Sequence, residues 1–241
     1  MCARLTVTTT AAEIADLFGL GHDPRHAQPA PRTGRYNVAP STLIPVVRVA
    51  NGARQLAELR WGLVPHWNTE PKPAGFVNAR AETAPEKPAF RDPFRSRRCL
   101  VPANGFFEWK TAGKKKRPYF FRPAGGGLFA YAGLWDRWAG PHGPVETVAV
   151  LTVPANELVE PLHDRMPAVV GPEHFAAWLD PTESRPARLL PLLKPYPAER
   201  MEMWPVSDRV NAVTPDDPEL LVAVPEPPKP TWSQPTLFDV A

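Results

Sequence analysis

Cys2 stands directly behind the initiator methionine. Removal of Met1 leaves its α-amine and thiol on adjacent carbons, a pair that condenses with aldehydes: the amine forms an imine, then the sulfur closes a five-membered thiazolidine. An α-amine pKa of about 7.7 to 8.0 keeps free amine available near neutrality, and the thiolate is the better nucleophile. Loss of water from the carbinolamine needs a general acid, and ring closure needs a base. Glu108 in ANGFFEWK and His163 in PLHDRMP are side chains of those types. Glu108 alternates with Phe107 and Trp109 and shares a strand face with Phe106, a setting that strips hydration from a carboxylate and raises its pKa. The same pattern also suits a solvent-facing glutamate paired with Lys110. His163 reads either as a base oriented by Asp164 or as a structural histidine. Asn78 and Arg80 in FVNARAET lie two apart on an extended segment, where Asn can orient a hydroxyl and Arg matches a phosphate. An Asx-type turn into a helix after Thr83 explains them equally well. Trp61, Pro65 and Trp67 in LRWGLVPHW fit either a core or a platform for unpaired bases.

These residues need a scaffold, and the chain supplies mostly strand signals. TLIPVVRV, RQLAELRW, RCLVPANGFFEW, PYFFRP, LFAYAGLWDRW, ETVAVLTV and RMPAVV are β-branched or aromatic runs broken by Pro and Gly. Helices are expected over Thr10–Leu20, within ETAPEKPAFRDPF, over PEHFAAWLD with Pro172 in its first turn, and around ARLLPLLK. Gly125 to Gly127 read as a hairpin turn, since no phosphate-binding glycine motif surrounds them. Strands do not alternate with long helices, which excludes a doubly wound sheet. The expected fold is α+β: one domain around a strongly curved, mostly antiparallel, barrel-like sheet with flanking helices.

The 241 residues, 43% of them hydrophobic, suffice for a large core. No run approaches the roughly eighteen apolar residues of a membrane helix, and no signal peptide opens the chain. A cytoplasmic, nucleoid-associated protein is expected. Cys2 and Cys99 are the only cysteines, so a disulfide framework and a multi-cysteine zinc site are not supported, and no metal or cofactor is expected. The net charge of +3 permits a polyanionic partner without demanding one. Basic residues cluster at Arg91, Arg95, Arg97 and Arg98 and again at Lys110, Lys114, Lys115, Lys116 and Arg117; solvated faces account for such runs in isolation. Prolines crowd the C-terminal stretch, so the folded domain is expected over 1–224 and an extended, disordered tail over 225–241.

Together MCARLT, GRYNVAP, LRWGLVPHW, FVNARAET, RCLVPANGFFEW, YAGLWD, LHDRMPAVV and SDRVNAV, in this order, resemble the SOS response-associated peptidase (SRAP) family from Met1 to about Leu221. The resemblance implies an abasic-site sensor that shields single-stranded DNA through a thiazolidine cross-link at Cys2. It implies catalytic roles for Cys2, Asn78, Glu108 and His163: Glu108 in sugar-ring opening and proton shuttling, His163 in protonating the leaving hydroxyl and in reversal, Asn78 in positioning the amine and sugar. It also implies DNA contacts at Arg4, Arg80 and Arg165 to phosphates, and at Asn37, Pro40 and Trp67 to bases. The family's usual opening is Met-Cys-Gly-Arg, whereas Ala3 stands here. A peptidase using the same cysteine, including self-removal of Met1, and a noncovalent single-strand-binding adaptor are the alternatives. Finally, QPTLF in the tail resembles peptides that dock in the bacterial sliding clamp, through Gln234, Leu237 and Phe238.

Overall fold

A computed structural model of the protein describes residues 3–20, 32–70, 74–113 and 115–226. Five strands close a barrel: β3 (Leu43–Ala50), β4 (Ala53–Trp61), β6 (Arg98–Ala103), β9 (Phe129–Gly140) and β10 (Gly143–Pro154). The ring runs β10–β4–β3–β6–β9 and returns to β10, antiparallel throughout except for the β10–β4 pair. The far half of β10 carries two short strands, β5 (Asn78–Arg80) in parallel register with Val150–Thr152, and β11 (Arg165–Pro167) antiparallel to Thr152–Pro154. A second, antiparallel sheet runs β12 (Met201–Pro205), β8 (Lys115–Pro123), β7 (Gly105–Ala112), β1 (Leu5–Val7) and β2 (Arg35–Val38). The α+β expectation with a barrel-like antiparallel core therefore holds, with strands dominating.

RCLVPANGFFEW, read as one run, divides at Asn104 into β6 of the barrel and β7 of the second sheet. Asn104 fixes the crossing: its Oδ1 accepts from the Thr8 and Thr9 amides at 2.7 and 3.1 Å, tying β6 to the end of β1. A Cβ on Gly105 would meet the Phe121 carbonyl at 2.3 Å, so only glycine lets the strands approach. Gly125 to Gly127 do not make a hairpin, contrary to expectation. They join β8 to β9, which belong to different sheets, and positive φ at all three turns the chain from one layer to the other.

Helices are short and peripheral. α1 (Ala11–Leu17) starts in a capping box, with Thr10 Oγ1 accepting from the Glu13 amide and Glu13 accepting from the Thr10 amide. α3 (Phe175–Leu179) falls within its expected stretch, α2 (Arg91–Ser96) overlaps the end of its own and runs past it, and α4 (Pro186–Leu189) starts one residue early and passes into a 3-10 turn over Leu190–Leu192. Arg98 gathers α2 and α3 onto the barrel, its guanidinium donating to carbonyls of Phe94, Arg95, Trp178, Asp180 and Glu183. The first basic cluster is thus partly internal: Arg97 also pairs with buried Asp136 at 3.2 Å.

The second sheet is covered on both faces. Phe106, Tyr119 and Phe121 point into the main core between sheet and barrel, where Phe106 stacks on Phe121 at 4.8 Å and meets Tyr131 edge-on. Phe107 and Phe120 point the other way, into a smaller core sealed by Val206, Val210 and Leu220. The last two lie on 3-10 turns over Asp208–Asn211 and Pro218–Leu221. Among the described residues no helix is long and apolar enough to cross a membrane.

Candidate active site and nucleic-acid interface

The alternation of β7 places Glu108 on the face of Phe106, opposite Tyr119 on β8, as the period of two requires. It is only 4% exposed. Burial pushes its carboxyl up to about 7, against the opposing pull of the Trp109 amide and the Lys116 charge. Near neutrality Glu108 therefore exchanges a proton readily, the requirement for a group that both donates and accepts.

Glu108 lines a cavity of about 700 Å³ together with Ala3, Arg4, Lys116, His163 and Asn211. Ala3 leads into β1, and His163 ends a turn that hands the chain to β11. Two contacts define the His163 ring: its Nδ1 accepts from the Arg165 amide at 2.9 Å and lies 2.9 Å from Asp164 Oδ1. One nitrogen lone pair cannot serve both. In the neutral ring the amide takes Nδ1 and the proton sits on Nε2; a protonated Nδ1 turns its hydrogen to Asp164 instead. Desolvation lowers the His163 pKa, so the neutral form prevails near pH 7. The cavity thus joins a carboxyl held partly protonated to an imidazole held neutral, an acid and a base within one chamber.

Asn78 does not line that cavity; it opens β5 and lines a second groove of about 530 Å³ with Trp67, Phe76, Arg80, Lys87 and Phe90. Buried Ala79 separates Asn78 from exposed Arg80, so the two project to one side as expected. The tryptophans of LRWGLVPHW divide. Trp61 is fully buried with its Nε1 donating to the Val77 carbonyl, whereas Trp67 is 53% exposed beside Phe76 at 44%. An apolar groove with aromatic walls and cationic rims suits an unpaired base and its phosphate, each stacked base contributing about 1–3 kcal/mol.

Other expected contacts have internal duties. Arg4 donates to Asn37 Oδ1 and, at 2.8 Å, to the Val210 carbonyl, and lies over the Trp109 ring. Asn37 is buried and its Nδ2 donates to the Ala212 and Pro215 carbonyls, so its side chain braces the C-terminal segment while the neighbouring Pro40 turn stays at the surface. Arg165 forms a bidentate pair with Glu82, at 2.9 Å for each bond, and donates to the Thr152 carbonyl. Cys2, Gln234, Leu237 and Phe238 lie outside the described residues. Lys116, Trp109 and Asn211 were not singled out from the sequence. Trp109 Nε1 donates to Asn211 Oδ1 at 2.7 Å, closing the cavity wall, and the only prior signals were a charge run and the SDRVNAV block.

Residues 1–213 match the family model described as SOS response associated peptidase (SRAP). The chain belongs to the SRAP family. Among SRAP relatives, the abasic site processing protein YoqW of Bacillus subtilis is 40% identical over 92% of this chain and 99% of its own. The abasic site processing protein HMCES of Gallus gallus is 32% identical over 93% of this chain and 78% of its own. A solved protein from Bacteroides thetaiotaomicron superposes with a TM-score of 0.82 at 29% identity, covering 92% of this chain and all of that one.

Proposed function

We propose that this SRAP protein captures abasic sites in single-stranded DNA covalently through Cys2 and so shields them. One observation carries the reading: Ala3, the residue joined to Cys2, lines the same cavity as Glu108 and His163. The names of the relatives support the substrate class.

The steps balance without an added reagent. Protonated Glu108 gives its proton to the ring oxygen as the C1′–O4′ bond breaks, and the C1′ hydroxyl releases its proton to solvent, leaving the open sugar with an aldehyde at C1′. The Cys2 amine adds to that carbon, and the carbinolamine hydroxyl leaves as water with a proton relayed through His163, leaving an imine. The thiolate then attacks the imine carbon, the nitrogen takes up a proton, and the thiazolidine is closed. Asn78 orients the sugar, and Arg80 and Trp67 in the same groove hold the flanking phosphate and base. Arg165 and Arg4 contribute positive potential while fastening β11 and β1, and the segment at Pro40 borders the bases.

The test is to mix untagged protein, with its Cys2 terminus verified by mass spectrometry, with an oligonucleotide carrying one abasic site and to run a denaturing gel. A retarded band that vanishes when the site is first reduced with borohydride is expected. Absence of any adduct overturns the reading, and cleavage of a peptide without DNA favours the peptidase. We further propose that QPTLF in the tail docks on the sliding clamp. The full chain then retains the clamp in a pull-down and a chain ending at Trp232 does not, whereas equal retention sinks this second part.

A further inference from the structure

Two arginines expected to meet phosphates, Arg4 and Arg165, spend their guanidinium groups on the protein itself. Charge for a DNA strand beyond the cavity must come from another surface, and the end of the β7–β8 hairpin supplies it. Lys110 stands directly opposite Arg117, Thr111 opposite Lys116, and Ala112 opposite Lys115. Like charges facing each other across an antiparallel pair destabilise it. Elsewhere the fold relieves its cations: Arg122 on the same β8 pairs with Glu202, Arg209 with Asp217 and Glu219, and Arg48 with Glu146. Among the described residues no carboxylate lies within ion-pair distance of Lys110, Lys115 or Lys116, all three exposed. The hairpin is also continuous with the site: Glu108, which lines the cavity with His163, lies two residues before Lys110 and by the period of two shares its face, while Lys116 lines the cavity from the opposite face.

We propose that the β7–β8 hairpin is a phosphate track, on which Lys110 and Lys115 hold the sugar–phosphate backbone of the captured strand as it leaves the cavity, while Arg117 donates to the Pro225 carbonyl. This inference rests on the abasic-DNA reading for its substrate, yet it is testable apart from it. The repulsion between Lys110 and Arg117 is a standing cost in the free protein that a polyanion removes, and counterions released from the strand add to the affinity.

The measurement is fluorescence anisotropy of the full chain with a single-stranded oligonucleotide that has no abasic site, over a series of salt concentrations. Lys110→Gln/Lys115→Gln is expected to flatten the plot of log K against log salt by about 1.4, two phosphate contacts at about 0.7 each on single strands. Lys194→Gln/Arg188→Gln, the same change in net charge on a surface away from the hairpin, is expected to leave the slope near wild type. Thermal melting of both variants verifies that each is folded. An unchanged slope in the hairpin variant, or equal flattening in both, overturns the track and leaves a solvated hairpin or a protein partner as its role. If adducts form and the slope is unchanged, the track alone fails. If the slope flattens and no adduct ever forms, the track stands and the covalent reading fails.

Discussion

Glu108→Gln is expected to slow adduct formation by about 10² to 10⁴, the range general acid–base groups contribute. Gln is nearly isosteric and still accepts the Trp109 amide bond that Glu108 receives. It cannot release or take up a proton. The pH dependence has a definite sign. With a folded pKa of about 7, well above the ordinary carboxylate value, wild-type Glu108 holds its proton at pH 6 and loses it by pH 8. Capture limited by proton donation should therefore fall through this interval in the wild type, and the residual Gln activity should lack that limb. Stability moves in the same direction. The folded state binds the extra proton between about pH 4.5 and 7, so stability declines across that window, and ionised Glu108 is a burden of the order of 3 kcal/mol above it. At pH 8 the Gln protein should unfold at higher urea than wild type while capturing DNA far more slowly. Retention of full activity would remove Glu108 from the chemistry.

Cys2→Ala is expected to reduce the denaturant-resistant adduct to background, whereas Cys99→Ala leaves it intact. The contrast is physical. Cys99 is fully buried in the barrel, and burial pushes its thiol up beyond any useful thiolate range. It is packed so closely that a Cβ on Gly133 would lie 2.7 Å from its sulfur. No aldehyde on a DNA strand reaches it. With two cysteines in the chain, a stable sulfur adduct has one possible origin. The alanine variant separates the two covalent steps, because its terminal amine still forms the imine. Borohydride added during incubation should then trap a product that is absent after heating without reductant. If Cys2→Ala still gives the heat-stable species, thiazolidine closure is excluded.

The long strands and the face of Glu108 were legible because their signal is local. Seven or more β-branched and aromatic residues between breakers form a strand in most settings, and a period of two decides which side each residue takes. The three-residue β1 was not legible, since its stability comes from partners far away: Leu5 pairs with both Val38 and Phe106. Nor did the run across Asn104 announce its change of sheet, which depends on the Thr8 and Thr9 amides donating to Asn104 Oδ1 some ninety-five residues distant. At the site, residue types pointed to Cys2, Glu108 and His163, but the meeting of Ala3, Glu108 and His163 around one cavity depends on long-range packing that local spacing does not encode. Asn37 and Arg165 show the converse limit. Polar residues in a family motif were read as reaching outward, yet the fold spends them on bracing, which shows only in their hydrogen-bond partners.

Arg4 donates to the carbonyls of Val210 and Ala212, more than two hundred residues along the chain, and Asp216 accepts from the Tyr36 and Asn37 amides. The strand that begins next to Cys2 is thus latched by nearly the last part of the folded protein. A ribosome-bound or prematurely terminated chain that ends soon after residue 163 already carries Glu108 and His163 and still lacks the latch. The first strand of the fold is accordingly completed only by the last folded segment, so a chain cut before Val210 has β1 without the carbonyls that hold Arg4.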